Sequence, residues 1–132
     1  MRVLLDTHIL LWMARSPQKL SRFERGILAS EDVSLLVSVI SIWEIRIKWQ
    51  KFDRNGVRKG ELSPEDALTY VERNDLALIP LSGADFTTRL EPPLVHNDPF
   101  DEMLLVHAAR RDAKLLTRDR QLIGHPLAIT PV

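Results

Sequence analysis

Four acidic residues lie at the ends of apolar strand-like runs or within helical segments that carry an apolar face. Asp6 directly follows the apolar run Val3-Leu4-Leu5, and Asp119 comes just after a second β-rich run. Glu44 and Asp101 stand within apolar helical patterns. Clustered carboxylates repel one another, so such a group needs either protonation or a bound cation. An all-oxygen set favours a hard cation such as Mg²⁺ or Mn²⁺, which activates water and stabilises phosphoryl oxygens.

Each of these acids also has an ordinary structural explanation. Asp6 suits a turn at the end of a strand, and Asp119 suits the N-cap of a helix. Glu44 can pair with Lys48 one helical turn later, and Asp101 can cap backbone N–H groups in the first turn of a helix. Taken singly, the acids do not decide between these roles and a shared site. The decision depends on whether they converge.

The direction of two side chains favours convergence. Asp98-Pro99 has the form of an N-cap followed by Pro at the first helical position, so Asp101 falls in the first turn. Apolar residues follow Asp101 at +3, +4 and +7, which places it at the head of the core-facing stripe. Glu44 shares its helix face with Ile40 and Ile47. Both acids therefore border apolar helix faces.

Short apolar strands alternate with helical segments along the chain. We predict strands at 3–5, 33–37, 76–79, 114–117 and 127–130. We predict helices at 7–15, 21–30, 39–52 and 99–112, another beginning at Ser63-Pro64, and short ones after Ser82 and Asp119. The pattern indicates one α/β domain over residues 1–132, with a central, mostly parallel five-stranded sheet flanked by helices on both faces. Ligands of such sheets bind beyond the carboxyl ends of the strands, where Asp6 and Asp119 lie.

The composition is that of an ordinary globular protein. The 132 residues carry 18 basic and 18 acidic side chains, so a globally basic nucleic-acid binder is not indicated, and only a local charge asymmetry could favour such a ligand. No cysteine is present, which excludes disulfides and thiolate metal sites. The five glycines never cluster, so a P-loop or dinucleotide site is not indicated. The N-terminus predicts neither a signal peptide nor a membrane span, and we expect a cytoplasmic protein.

Four stretches in this order and spacing carry a resemblance to a known family: LLDTHILLW, SVISIWEIRIK, HNDPFDEMLLVHA and LLTRDRQL. They resemble the motifs of PIN-domain ribonucleases, and most of all the VapC-type toxins of bacterial toxin–antitoxin pairs, over essentially the whole chain. The resemblance implies a PIN-like nuclease domain with an acidic Mg²⁺ or Mn²⁺ site made of Asp6, Glu44, Asp101 and Asp119. It also implies a single-strand-specific endoribonuclease, a homodimer and a cognate antitoxin protein that blocks the site.

The same resemblance suggests supporting residues. Thr7 and Thr117 match hydroxyl positions beside the acids, where they orient carboxylates or water. Asp98 matches the Asp-Pro-Phe segment of these toxins, and we interpret it as a cap near the site. Glu102 departs from the pattern, because relatives often carry Arg there. That departure bears on a local salt bridge or substrate contact more than on the metal site.

A basic segment follows Glu44. Between positions 46 and 60, six basic residues face a single acid, Asp53, and Trp49 and Phe52 stand among them. Basic groups bind phosphates and aromatic rings stack on unpaired bases; the alternative is a solvated loop whose aromatic side chains pack in the core. The candidates for RNA or partner contact are Arg46, Lys48, Lys51, Arg54, Arg58 and Lys59.

The remaining signals are weaker. His8 abuts Asp6 but suits a structural role at a helix start, and the histidines at 96, 107 and 125 show no ligand spacing. The three tryptophans are predicted in the core or in a dimer contact. Two other classes of function stay open. One is a phosphotransfer enzyme with Asp6 as its nucleophile, and the other is a non-catalytic interaction module that retains the fold.

Overall fold

The alternation of strands and helices predicted from the sequence is present in the fold. We describe a computed structural model that covers residues 1–96 and 98–130, so the predicted domain end at 132 lies outside the described residues. The elements in chain order are β1 (Arg2–Leu5), α1 (Thr7–Arg15), α2 (Arg22–Ala29), β2 (Ser34–Ser38), α3 (Val39–Trp49), α4 (Pro64–Arg73), β3 (Ala77–Ile79), α5 (Gly83–Thr87), α6 (Pro99–Arg110), β4 (Ala113–Leu116) and β5 (Ala128–Ile129). Single 3₁₀ turns occupy Pro17–Lys19 and Arg120–Leu122. Among the described residues, no helix combines the length and apolar character that crossing a membrane requires.

The sheet is parallel and five-stranded, in the order β3-β2-β1-β4-β5. Successive side chains of β1 point to opposite faces, because a strand has a period of two. Val3 and Leu5 lie in a buried cluster with residues of α1, α3 and α4, such as Leu10. Leu4 lies in a second cluster with Leu104 of α6. The predicted α/β architecture with helices on both faces is therefore confirmed.

Helix boundaries follow the capping signals in the sequence. Ser21 and Glu24 form a reciprocal capping box at the start of α2, and the Ser63 side chain caps α4. Helix α3 ends at Trp49, earlier than the predicted position 52, because Phe52 pairs with Arg58 in an antiparallel bridge. The segment predicted as a loop at 53–62 is thus an ordered turn anchored to the end of α3.

The strand order places a crevice beside β1. β1 pairs with β2 on one side and with β4 on the other, with Leu5 opposite Leu116. The chain leaves β1 towards β2 and β3 and later returns to the opposite side of β1 through β4, so the connections diverge at this point. Ligand sites of open α/β sheets lie at such a switch point, outside the carboxyl ends of the strands. Asp6 and Thr117 are the first residues beyond those ends.

Candidate metal centre

An open pocket of about 320 Å³ lies beyond the carboxyl ends of β1 and β4. All four acids singled out in the sequence line it, although they come from separate parts of the chain. Its lining residues are Asp6, His8, Trp12, Glu44, Asp98, Asp101, Arg118 and Asp119. Five carboxylates therefore face one guanidinium in a single concave site. Their roles in chemistry stay a prediction, but their convergence is an observation.

Asp6 is held between β1 and α1 with both carboxylate oxygens occupied. Its Oδ1 accepts the Thr7 backbone N–H at 2.7 Å, and its Oδ2 accepts the Thr117 hydroxyl at 2.5 Å. The residue is 8% exposed. Burial raises the pKa of Asp6 despite these two hydrogen bonds, and the nearby Glu44 adds to the rise. The N-cap role and the pocket position are therefore compatible.

Glu44 is fixed by the hydroxyl side chain that follows Asp6. The Thr7 hydroxyl donates to Glu44 Oε1 at 2.7 Å and is also hydrogen-bonded to Ser41 Oγ at 2.9 Å. The ordinary pair predicted with Lys48 is present as well, with Nζ 3.8 Å from Glu44 Oε2. One Glu44 carboxylate oxygen thus accepts a hydrogen bond from Thr7, and the other forms a long ion pair with the partly exposed Lys48.

Asp98, rather than Asp101, caps helix α6. The Asp98 Oδ1 accepts the backbone N–H groups of Phe100 at 2.9 Å and Asp101 at 3.3 Å. The Asp101 side chain instead turns to His96, whose Nε2 lies 3.0 Å from Asp101 Oδ2. Because Asp98 takes the capping role, the Asp101 carboxylate is available to the pocket.

Asp119 completes the acidic group. Its backbone N–H donates to the Thr117 hydroxyl at 3.0 Å, so Thr117 connects Asp119 to Asp6. Asp119 also caps the following 3₁₀ turn through the Gln121 backbone N–H, at 2.9 Å. Its cap role, like that of Asp6, coexists with a position on the pocket wall. The two threonines that resemble family hydroxyl positions, Thr7 and Thr117, are both hydrogen-bonded to acids of the pocket.

Asp101 and Asp119 lie so close together that ionisation of both carboxyl groups is unfavourable. The pKa of Asp101 is raised to about 7, mainly by burial; a hydrogen bond with Asp119 and the charges of Asp98 and Asp6 also raise it, while the hydrogen bond with His96 lowers it. One donor atom from each of His96, Asp101 and Asp119 lies within 4.8 Å of the others, close enough to share one ion. A bound divalent cation would remove the repulsion, and carboxylate oxygens are the donors that Mg²⁺ and Mn²⁺ prefer. Asp101 and Asp119 therefore fit such an ion, with His96 as the third close donor, whereas Asp6 and Glu44 line the same pocket outside this group of close donor atoms.

Two residues of the site were not predicted from the sequence: Arg118, which lines the pocket, and His96, which contacts the pocket residue Asp101. His96 lies five positions before Asp101, which is no helical period, so the local pattern does not predict the contact between their side chains. Arg118 precedes Asp119, and its Nε and Nη2 each donate to the buried Glu24 carboxylate at 2.6 Å. The LLTRDRQL motif contained Arg118, but nothing local pointed to Glu24 as its partner.

The predicted basic contacts separate into different surroundings. Lys48 and Lys59 line a second pocket next to the acidic one, whereas Arg46 borders an apolar hollow on another side of α3.

Arg58 stacks between Trp49 and Phe52, with its Cζ 4.2 and 4.5 Å from the two ring centroids. Lys51 and Arg54 are exposed. The alternative that both aromatics pack in the core is wrong for Phe52, which is 52% exposed.

Topology, pocket and acids together define an α/β protein with an acidic site at the switch point of a parallel sheet. The model of the PIN domain family matches residues 3–125, so the chain belongs to that family, whose members are nucleases that generally use divalent metal ions. No curated protein matches the sequence.

Solved structures share the fold at low sequence identity. The chain matches a VapBC2 structure from Rickettsia felis bound to a DNA fragment from its promoter, with a TM-score of 0.64, 18% identity and coverage of 98% and 97% of the two chains. It matches a toxin–antitoxin complex from Klebsiella pneumoniae with a TM-score of 0.64, 18% identity and 98% coverage of both chains. DNA-bound VapBC from Salmonella typhimurium matches with a TM-score of 0.63, 18% identity and coverage of 98% and 96%.

Proposed function

We propose that this protein is a metal-dependent endoribonuclease that cleaves single-stranded RNA in the cytoplasm and acts as the toxin of a toxin–antitoxin pair. The observation that carries the proposal is the convergence of Asp6, Glu44, Asp101 and Asp119 on one pocket at the sheet switch point. Membership of a nuclease family supports the phosphodiester as substrate. The fold shared with chains of VapBC complexes supports an antitoxin protein as partner.

The side chains of the pocket have separable tasks in this proposal. Asp6, Glu44, Asp101 and Asp119 would hold Mg²⁺ or Mn²⁺ through their carboxylate oxygens. A divalent cation bound there supplies the charge that makes water nucleophilic at neutral pH and stabilises the phosphoryl oxygens. Thr117 keeps the Asp6 carboxylate oriented, and Thr7 does the same for Glu44. His96 fixes the rotamer of Asp101 through the Nε2 contact.

The phosphotransfer alternative differs from the nuclease in its product. Both oxygens of Asp6 accept one hydrogen bond each, from Thr7 and Thr117, and each keeps a lone pair that could bind a metal ion or attack phosphorus. A carboxylate nucleophile would leave phosphate covalently attached to Asp6, which mass spectrometry detects, whereas the nuclease would not.

The test is a cleavage assay on end-labelled single-stranded RNA, with a duplex of the same sequence as control. We expect cleavage of the single strand with Mg²⁺ or Mn²⁺, none with EDTA, and recovery when the metal is restored in excess. Equal cleavage in EDTA would remove the metal from the proposal. A phosphorylated Asp6 would favour phosphotransfer, and an inert protein under all conditions would favour the interaction module.

We also propose that the chain forms a homodimer through an exposed apolar surface centred on Trp43, which is 53% exposed. Two hollows adjoin at this side chain, one lined by Leu68 and Leu78 and the other by Phe86 and Phe100. Contiguous exposed apolar area of this kind is typical of protein contacts. This surface is the one that fits the predicted tryptophan dimer contact.

Substitution of Trp43 by Arg is expected to convert the dimer into a monomer. A charge placed at the centre of an apolar interface is left without solvent or partner, which costs several kcal/mol. Analytical ultracentrifugation measures the change. The matched control is Phe23→Arg, because Phe23 is 48% exposed on α2 and lines neither hollow. A wild-type monomer, or a dimer that survives Trp43→Arg, would contradict the assignment.

A further inference from the structure

We infer that a second pocket beside the acidic site binds the sugar-phosphate backbone of the RNA strand next to the cleaved bond; this inference rests on the proposed ribonuclease function. The pocket has a volume of about 310 Å³. Lysines from three elements line it: Lys19 after α1, Lys48 on α3 and Lys59 in the turn that follows α3. We call this pocket the lysine annex.

The lysine annex and the acidic pocket share a wall. His8 and Trp12 of α1 line both. His8 is exposed, and the two rings lie with centroids 5.9 Å apart. An RNA strand that spans both pockets would therefore pass over His8 and Trp12 on the surface of α1.

The two pockets carry opposite charge. The acidic pocket presents five carboxylates against Arg118, whereas the annex presents three lysines against Glu61. A polyanion is repelled by the first pocket until cations neutralise it, and is attracted by the second without any cation. Phosphates repeat along an RNA strand, so one phosphate can occupy the metal site while a neighbouring phosphate contacts the lysines. That repeat favours RNA over an acidic peptide as the occupant.

Two lysines of the annex form only long ion pairs with neighbouring carboxylates. Lys19 Nζ lies 4.0 Å from Glu61 Oε1, and Lys48 Nζ lies 3.8 Å from Glu44 Oε2. Both distances are long, and ion pairs between partly exposed side chains contribute little. A phosphate can therefore replace either contact at small cost. The Lys48 contact would also weaken when Glu44 engages a cation.

The segment that contains Lys59 is held against α3 by backbone contacts. Lys59 N donates to Lys51 O at 2.9 Å, and the preceding residue, Arg58, is clamped over the Trp49 ring. Gly60 then approaches α3 so closely that a Cβ at this position would lie 2.7 Å from Trp49 Cα and 2.9 Å from Trp49 N. Only glycine permits this contact between backbones, and it holds the Lys59 segment against the annex.

The first test removes charge from the annex. We expect the double variant Lys19→Gln, Lys59→Gln to lose about tenfold in affinity for single-stranded RNA of mixed sequence at low salt. The slope of log affinity against log salt should become less steep by about 1.4, since each phosphate contact on a single strand contributes about 0.7. Fluorescence anisotropy in an Asp6→Asn background, with monovalent salt and no divalent ion, measures both quantities. Lys114→Gln is the matched control, because Lys114 lies at the amino end of β4.

Kinetics separate the annex from the metal site. In a chain with Asp6 intact, the double variant should raise KM for long RNA much more than KM for a dinucleotide, which is too short to reach the annex. Equal losses on both substrates, or behaviour like that of Lys114→Gln, would overturn the annex while leaving the ribonuclease proposal in place. A wild-type chain that cleaves no RNA would instead overturn the proposed function.

The second test keeps every charge. Gly60→Ala must displace the Lys59 segment from α3, because the atoms that it would meet are backbone atoms of Trp49. We expect the same selective loss of long-RNA affinity as in the lysine variant. Gly83→Ala is the control, since a Cβ there meets nothing within 4 Å. Thermal unfolding identifies a general loss of fold, and Gly60→Ala that stays folded yet binds RNA like Gly83→Ala would contradict the annex.

Discussion

Replacement of Asp6 by Asn is expected to lower the rate of RNA cleavage by about a thousandfold, roughly 4 kcal/mol of transition-state stabilisation. The change keeps the volume of the side chain but removes one negative charge and one acceptor oxygen. Asp6 directly follows β1 and lines the pocket, and the Thr117 hydroxyl donates to its Oδ2 at 2.5 Å. The variant should therefore bind the divalent ion weakly and fail to place it. Cleavage of end-labelled RNA at saturating Mn²⁺ measures the loss.

The same variant should not unfold the protein. In the metal-free wild type, burial raises the pKa of Asp6 and holds that of Asp101 near 7. A carboxyl whose folded-state pKa exceeds its unfolded value destabilises the fold when ionised. Metal-free wild type should therefore gain stability as the pH falls from above 7 towards 4, while Asp101 takes up its proton. Because Asp6 contributes to the high pKa of Asp101, Asp6→Asn should weaken this pH dependence.

Thermal melts followed by circular dichroism at several pH values, with and without Mn²⁺, measure these effects together. The matched control is Asp66→Asn, the same chemical change at an exposed position in the first turn of α4. It should cleave RNA like the wild type. A folded Asp6→Asn variant with full cleavage activity would remove Asp6 from the catalytic group, whatever its melting temperature.

Local patterns in the sequence predict the strands and helices and the direction of the acidic side chains. The apolar run before Asp6 and the N-cap signal at Asp98 predict where β1 ends and where α6 begins, and both are confirmed. The helical stripe after Asp101 predicts an inward direction, and the residue is indeed buried. These features depend only on neighbours within one or two helical turns.

Contacts between distant segments could not be predicted in this way. The hydrogen bond between Thr117 and Asp6 joins residues 111 positions apart, and it exists because β1 and β4 are adjacent strands. Strand order depends on the packing of the whole chain, and the sequence pattern predicts only that the strands are parallel. The hydrogen bond of His96 to Asp101 follows no helical period, and Lys19 and Lys59 line one pocket although 40 positions separate them, so neither could be read from a local pattern.

Replacement of Arg118 by Leu is expected to cost about 3 kcal/mol of unfolding free energy. Arg118 Nε and Nη2 both contact the Glu24 carboxylate at 2.6 Å, and Nη2 also donates to Lys19 O at 2.5 Å. Glu24 is fully buried, so the variant leaves an ionised carboxylate without its cation. Breaking a buried pair from one side costs about 3–5 kcal/mol, and the lower end applies because the Arg118 side chain is 36% exposed. Urea unfolding at neutral pH measures the difference.

The pH dependence identifies the cause of that loss. Burial alone would raise the pKa of Glu24, but hydrogen bonds from Arg118 and Ser21 together lower it. In the wild type, ionised Glu24 therefore stabilises the fold at pH values above the ordinary pKa of a glutamate. This stabilisation is lost as the pH falls through the lowered pKa of Glu24. In Arg118→Leu the carboxyl should take up a proton more readily, so the deficit relative to wild type should shrink as the solution is acidified. A deficit independent of pH would indicate lost packing against Trp12, over whose ring the guanidinium lies at 4.3 Å.

A second substitution separates the buried charge from the packing. Adding Glu24→Gln to Arg118→Leu removes the unpaired carboxylate but keeps a side-chain oxygen that can accept the Ser21 N–H, so part of the stability should return. The double-mutant cycle then gives a coupling between Glu24 and Arg118 that is large compared with the effect of an exposed pair such as Lys19 and Glu61. If the double variant is as unstable as Arg118→Leu alone, the buried charge is not the cause. Recovery would show that Arg118 neutralises Glu24 while it forms part of the acidic pocket wall beside Asp119.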